Sequence, residues 1–427
     1  MLMTLFILLV LFNTQQVAVL MPEYFVVGGF GVTWFDLVTV CAFIYWITQS
    51  SFTNKPSWDL KKKINKTYFM FLLVGLIPVF IGFINGKSNL LYAYRFFFYF
   101  VWVPVLIQLL QKPRRATKVL TYLIIINSVS IVVALFTHLR EVGFTIFYLT
   151  NYRELNLIVS LVLLSFLMAK DHLLGKKMDV LIFILCILAL LFDQSRKIQI
   201  AFLLGSIILY FNYKKIQKRK VIINKQVLAV ILLIIVGLGF MGLWSTVIER
   251  LGTVIVTPSQ IQSGTIEPSA FFRLYALIGG IELVKEHPFT GMGAGDAMEI
   301  EQYMLGASGI SRNLSPHNFY LSEMLYYGIP IVLLIYLIIF RFIRQSLHEI
   351  RKVPSPLVSK QKITALGITA GYIGFMVAMF FEGYAVQSIV NTWLFFGLML
   401  GFINLCSKIM TEKKMIAIKQ LNSNKNK

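Results

Sequence analysis

Residues 315–341 read SPHNFYLSEMLYYGIPIVLLIYLIIFR. Within four residues a polar stretch, Ser315-Pro316-His317-Asn318, gives way to a run over 319–341 that is long enough to cross a bilayer, for which roughly 20 apolar residues suffice. Ser315 is a good N-cap and Pro316 suits a first helical position, so the sequence predicts a span opening here with His317 in its first turn. Upstream, residues 246–318 form the one long polar break in the chain. Outside it, similar apolar runs recur at 3–21, 32–50, 67–85, 91–111, 119–138, 154–170, 178–194, 198–213, 226–245, 364–383 and 391–407.

The chain is 57% hydrophobic and 14% charged over 427 residues, with a mean hydropathy of +0.75. That balance excludes an ordinary water-soluble domain. The runs are continuous rather than alternating, which argues against a transmembrane β-barrel. The expected fold is all-α: a polytopic transmembrane helix bundle of about 12 spans with one large outer loop containing short amphipathic helices. Spans 1–9 occupy 1–245, the loop 246–318, spans 10–12 319–407, and a basic cytoplasmic tail 408–427. The first run is interrupted by Asn13-Thr14-Gln15-Gln16. It is expected to be a retained span, because a basic leader region and a small-residue cleavage site are missing. Cys41, Cys186 and Cys406 lie in apolar runs, away from the loop and without metal-type spacing.

Charge gives the sides. Thirty of the 40 Lys and Arg residues fall in six segments, 55–66, 112–118, 170–177, 214–225, 341–362 and 407–427. Twelve spans put all six on one face, which the positive-inside rule makes the cytoplasm, with both termini there. The net charge of +21 is then topological, and nucleic acid is not an expected partner. Among the remaining cations, Lys87, Arg95, Arg140, Arg153, Arg196, Lys197, Arg273 and Arg312 lie at outer span ends or in outer loops. Arginines kept against the topological bias suit an anionic ligand on the outer face, although each alone is equally well explained by snorkelling to headgroups. Placement outside removes nucleoside triphosphates and favours lipid-linked substrates.

Within the loop, residues 269–286 have helical spacing, with Leu274, Leu277, Ile278 and Ile281 forming an apolar face and Arg273 in the first turns. His287-Pro288 ends this helix. Gly291-Met292-Gly293-Ala294-Gly295 follows; a flexible turn explains it better than a phosphate cradle, because no Walker lysine or preceding strand is present. His317, at the positive end of the helix it opens, is expected to stay neutral and able to accept a proton from a hydroxyl; a His packed at headgroup level is the plainer alternative.

The order of these pieces resembles the bacterial O-antigen ligase and O-antigen polymerase superfamily. The motifs that carry the resemblance are Arg273, His287-Pro288, Gly291-Met292-Gly293, and His317-Asn318 followed after nine residues by Gly328. Ser195-Arg196-Lys197 is similar to a Ser-Arg-Gly motif, with Lys197 in place of the glycine. Arg153 before Asn156 is similar to an Arg preceding Asn-Pro-Asn, without the proline. The resemblance implies a metal-independent glycosyltransferase without cofactors in the bacterial cytoplasmic membrane. Its donor would be a polyprenyl-diphosphate-linked oligosaccharide and its acceptor a saccharide or a lipid-linked glycan. Membrane lipid, a flippase and a chain-length regulator are the further partners expected. Carried over residue by residue, His317 is the expected catalytic base. Arg273, Arg196 and Arg153 are the diphosphate ligands, with Asn318, Lys197, Arg312 and Arg140 in support.

Ile331 stands where the ligase pattern has Gly, Thr or Tyr, and the composition is rich in Lys, Ile and Asn. Both tilt the expectation toward a polymerase, with a ligase as the alternative. A metal-dependent enzyme would need a compact acidic pair, which Glu23, Asp36, Asp296, Glu299 and Glu301 do not make. A polysaccharide flippase is the rival of another class; it predicts midplane charges, for which Arg95 and Glu382 are the best candidates, and repeated halves, which the chain lacks.

Overall fold

The computed structural model describes residues 2–12, 25–27, 30–50, 60–87, 90–141, 153–192, 195–217, 268–293, 318–352, 359–382 and 386–425. Its helices are α1 (Leu2–Phe12), α2 (Trp34–Ser50), α3 (Leu60–Ile84), α4 (Leu91–Phe98), α5 (Trp102–Leu109), α6 (Pro113–Glu141), α7 (Arg153–Ala169), α8 (Lys176–Phe192) and α9 (Arg196–Gln217). They continue with α10 (Pro268–Glu286), α11 (Phe319–Tyr327), α12 (Ile329–Lys352), α13 (Ser359–Ala378) and α14 (Val386–Lys425). Short 3-10 turns join α4 to α5 and extend α13 to Phe381. A small antiparallel hairpin, β1 (Phe25–Val27) with β2 (Phe30–Val32), pairs Val26 with Gly31 and interrupts an otherwise helical fold. Among the described residues, five helices are long and apolar enough to cross a membrane: Lys63–Ile84, Pro113–Phe136, Ile329–Lys352, Lys360–Phe381 and Ser388–Glu412. The expected ninth span, 226–245, lies outside the described residues, as do 13–21 of the first.

The core forms around α14, whose span is buried along its length. Trp393 donates its indole N–H to the Phe96 carbonyl at 2.6 Å and sits 4.9 Å, ring to ring, from both Phe96 and Phe100. Lipid tails offer no hydrophobic drive for one helix to prefer another, so close backbone approach and buried hydrogen bonds decide the packing. Both are present. Gly367 of α13 rides on the backbone of Val162 in α7, and Gly374 on that of Ala201 in α9. Asn127 of α6 donates to Asn156 of α7 at 3.1 Å, and Asn156 donates to the Cys186 carbonyl of α8 at 3.0 Å. Asn156 thus fixes the start of α7, three residues from Arg153. Beyond the bundle, α14 continues helically to Lys425, through the basic segment expected only as a tail.

Segments that charge counting assigns to one side meet one another. Arg351 donates to Asn212 at 2.8 Å, and Lys360 to the His172 carbonyl at 2.8 Å, both on the basic side. On the opposite side Lys197 pairs with Glu382, and Asn85 donates to the Met292 carbonyl at 3.2 Å.

The run at 319–341 is not one straight span. It breaks at Gly328, whose φ of +77° and ψ of 160° suit glycine alone. Across the break the Tyr336 hydroxyl donates to Glu323 Oε2 at 2.5 Å. In a straight helix, residues thirteen apart would sit about 20 Å from each other, beyond the reach of these side chains. Helix α11 therefore folds back against the first turns of α12, and the candidate span begins at Ile329.

Arg95 and Asp36, first met as candidate ligand, transport or metal groups, are a closed structural pair. Arg95 Nε donates to Asp36 Oδ1 at 2.9 Å and Nη2 to Oδ2 at 2.8 Å, and the Tyr99 hydroxyl donates to Oδ1 at 2.6 Å. Asp36 also accepts from the Thr33 N–H at 2.7 Å while Thr33 Oγ1 accepts the Asp36 N–H at 3.3 Å, a reciprocal cap that starts α2.

Candidate active site

Three helix ends meet at Lys197. Arg153 opens α7 and Arg196 opens α9, so that Glu154 and Lys197 are the second residues of adjoining helices. Lys197 Nζ stands 4.0 Å from Glu154 Oε1 and is ion-paired with Glu382, the residue that ends the 3-10 turn after α13. The Lys197 side chain is 9% exposed, so its charge is largely withdrawn from water and met by two carboxylates. Its pairing makes it a strut that sets the spacing of the α7 and α9 ends, where Arg153 and Arg196 stand.

The start of α11 joins this corner. Tyr320 donates its hydroxyl to the Met376 carbonyl, and its ring lies 4.5 Å from that of Phe380, in the turn that leads to Glu382. Asn318 is the N-cap: its side-chain oxygen accepts the Leu321 N–H at 3.0 Å, and its carbonyl accepts the Ser322 N–H at 3.0 Å. This corrects the expected start at Ser315. Asparagine caps as well as serine, and Asn318 has the third-residue N–H within reach. His317 accordingly precedes the cap instead of occupying the first turn. His317, Arg312 and Ser315 themselves lie outside the described residues.

Helix α10, carrying Arg273, packs on α11. Its buried side is Ala276, Gly280, Leu283 and Val284, and Gly280 lies directly against Leu321. Of the expected apolar face, Leu277 is half-buried, while Ile278 and Ile281 are exposed beside the Lys285–Glu282 ion pair at 2.7 Å. The close approach permitted by Gly280 chose the packed side over summed hydrophobicity. Arg273 sits two helical turns, about 10 Å, before Gly280, on the stretch of α10 that extends toward the Asn318 end of α11. The helix α10 and α11 alignment follows from paired contacts, Gly280 with Leu321 and Met292 with Leu325. The side chains of Arg273, Arg196 and Arg140, the last in the final turn of α6, are outside the described residues.

After α10, residues 287–293 wedge into the fold-back. Ile329 N–H donates to the Pro288 carbonyl at 2.9 Å, and Met292 N–H to the Leu325 carbonyl at 2.7 Å. A Cβ on Gly291 would lie 2.7 Å from Gly328 N, and one on Gly293 2.4 Å from Gly82 N. Both glycines have positive φ, +64° and +85°. The Gly-x-Gly motif is therefore neither a flexible turn nor a phosphate cradle. It is a backbone-on-backbone seat that fixes the loop to the ends of α3, α11 and α12.

The carboxylates that organise the corner, Glu154 and Glu382, were not among the expected site residues. The available signal was Lys197 itself: a cation in an apolar interior needs a counter-charge, and Glu154 lies beside Arg153 in sequence.

The capped start of α11, the loop helix α10 and the helix ends at Lys197 thus lie at one end of an apolar helix bundle. The family model described as O-antigen ligase matches residues 181–343. That segment holds Arg196, Arg273, the 287–293 seat, His317-Asn318 and Gly328, and the match bears out the resemblance to the O-antigen ligase and polymerase superfamily, a glycosyl-transferring family. No curated protein matches the chain.

Proposed function

We propose that the protein is a polysaccharide polymerase. It would transfer a glycan from a polyprenyl-diphosphate-linked donor to a saccharide acceptor on the outer face of the bacterial cytoplasmic membrane, in O-antigen, capsule or exopolysaccharide synthesis. The observation that carries this reading is the convergence at Lys197: the strut joins the helix ends that bear Arg153 and Arg196 to the turn on which α11 begins, and α10 with Arg273 lies along α11. The sides follow from the charge pattern, with both termini cytoplasmic and the loop outside.

The chemistry suits these residue types. A diphosphate leaving group carries concentrated negative charge, and the guanidinium presents paired donors in a plane. Arg153, Arg196 and Arg273 hold it and stabilise the charge that grows as the anomeric C–O bond breaks. His317 accepts the proton of the acceptor hydroxyl as that oxygen attacks the anomeric carbon. The polyprenyl diphosphate departs with the bonding electron pair, so atoms and charge balance without a metal or cofactor. Arg273→Lys keeps the charge and loses the fork, and transfer is expected to fall about 100-fold; equal rates would reduce Arg273 to a point charge or an anchor.

A ligase that passes the glycan to a lipid A-core acceptor is the second reading, favoured by the description of the matching family. Deleting the gene separates the two. Loss of long chains with single repeats still attached to the acceptor supports the polymerase. Loss of all attachment supports the ligase, and accumulation of lipid-linked glycan on the cytoplasmic leaflet supports a flippase.

A further inference from the structure

Glu323 is fully buried in α11, and its Oε2 accepts the hydroxyl of Tyr336 from α12. Tyr320 packs its ring 4.9 Å from that of Tyr336. A carboxyl group is costly in such a place, and leucine would pack there at less cost. Its other oxygen, Oε1, has no hydrogen-bond partner among the described residues. Stability of the bundle alone gives no reason for the residue.

Its placement does. Glu323–Tyr336 is the polar bond that joins the two arms of the fold-back, and it sits just over one helical turn from Asn318 along α11. The backbone seat at Gly328 fixes the apex of the bend; this bond fixes the angle. With both set, the N-terminus of α11 has one position against the Met376–Phe380 turn, and the residue before the cap is His317.

We infer that Glu323 and Tyr336 are positioning residues for His317. They set the angle of α11 and so the place of its cap, Asn318, which His317 directly precedes in sequence. The inference rests on the reading of His317 as the general base. Arg153 and Arg196 start on α7 and α9, which do not carry the bond, and only Arg273, on α10, stands on a helix packed against α11, so the effect falls on kcat more than on donor KM.

The test uses purified full-length protein in detergent, with lipid-linked glycan extracted from a strain deleted for the gene. Glu323→Leu and Tyr336→Phe are expected to lower kcat about ten- to 100-fold with the donor KM unchanged within about twofold, the signature of misplacement rather than lost binding. Glu323→Gln keeps an oxygen that accepts from Tyr336 and is expected to retain most of the rate. Wild-type kcat in both disrupting variants overturns the inference. So does a joint loss of kcat and donor affinity with a lowered melting temperature, which marks a merely structural bond, or a Gln variant no better than Leu. Histidine 317 is the control: if His317→Ala is inactive while these variants are normal, only the positioning role fails; if His317→Ala is active, the reading beneath it fails.

Discussion

His317→Ala is expected to abolish glycan transfer while the protein inserts and folds as before. A positioned general base contributes about 100- to 10,000-fold; Lys197, held by Glu154 and Glu382, and Asn318, occupied in capping α11, are not expected to replace it. Because His317 precedes the cap, its loss removes no helical hydrogen bond of α11, and the melting temperature is expected to hold. The measurement is the transfer rate of the purified variant beside its thermal melt. A rate within a fewfold of wild type removes His317 from the chemistry.

Gly328→Ala has the second large effect, and for a different reason. The backbone conformation at 328 alone costs an L-residue roughly 1–3 kcal/mol. A Cβ there would also stand 2.3 Å from the Phe289 carbonyl and 2.9 Å from Gly291 N. These neighbours are backbone atoms in a seat held by the Pro288 and Leu325 carbonyls, so they cannot turn aside as a flexible side chain would. The bend is expected to open and to move the capped start of α11 away from Met376 and Phe380. The expected result is a lower melting temperature together with loss of transfer by at least about tenfold. Wild-type behaviour in both would mean that the fold-back is not needed.

The fold-back gives a physical meaning to a spacing that sequence alone presents as a pattern. His317-Asn318, nine residues and Gly328 become a cap, a nine-residue helix and its hinge. Sequence read the apolar content correctly and the geometry wrongly, since hydropathy over 319–341 does not distinguish one span from a hairpin of helices. The long-range Glu323–Tyr336 bond and the Tyr320–Tyr336 ring contact reveal the reversal. The same limit applies to α10. Its helical period was legible from 269 to 286, but which side packs was decided by the absence of a side chain at Gly280, to which a count of apolar residues is blind. The cations were legible because they oppose the topological bias. Their partners were not, because pairing Lys197 with Glu382 joins residues far apart in the chain.

Glu154 and Glu382 also bear on how the corner tolerates an anion. Two carboxylates beside three expected arginine ligands would repel a diphosphate if they were unpaired. Lys197 between them offsets one of the two negative charges and lessens that repulsion.

The most direct measurement is transfer by the purified protein alone. In detergent with a chelator present, supplied only with lipid-linked glycan from a deletion strain, the protein should lengthen or pass on the glycan and release one polyprenyl diphosphate for each linkage made. Release should disappear in His317→Ala. Transfer that needs an added metal, or glycan that stays on its lipid whatever the conditions, would contradict an arginine- and histidine-driven transferase at the outer ends of these helices.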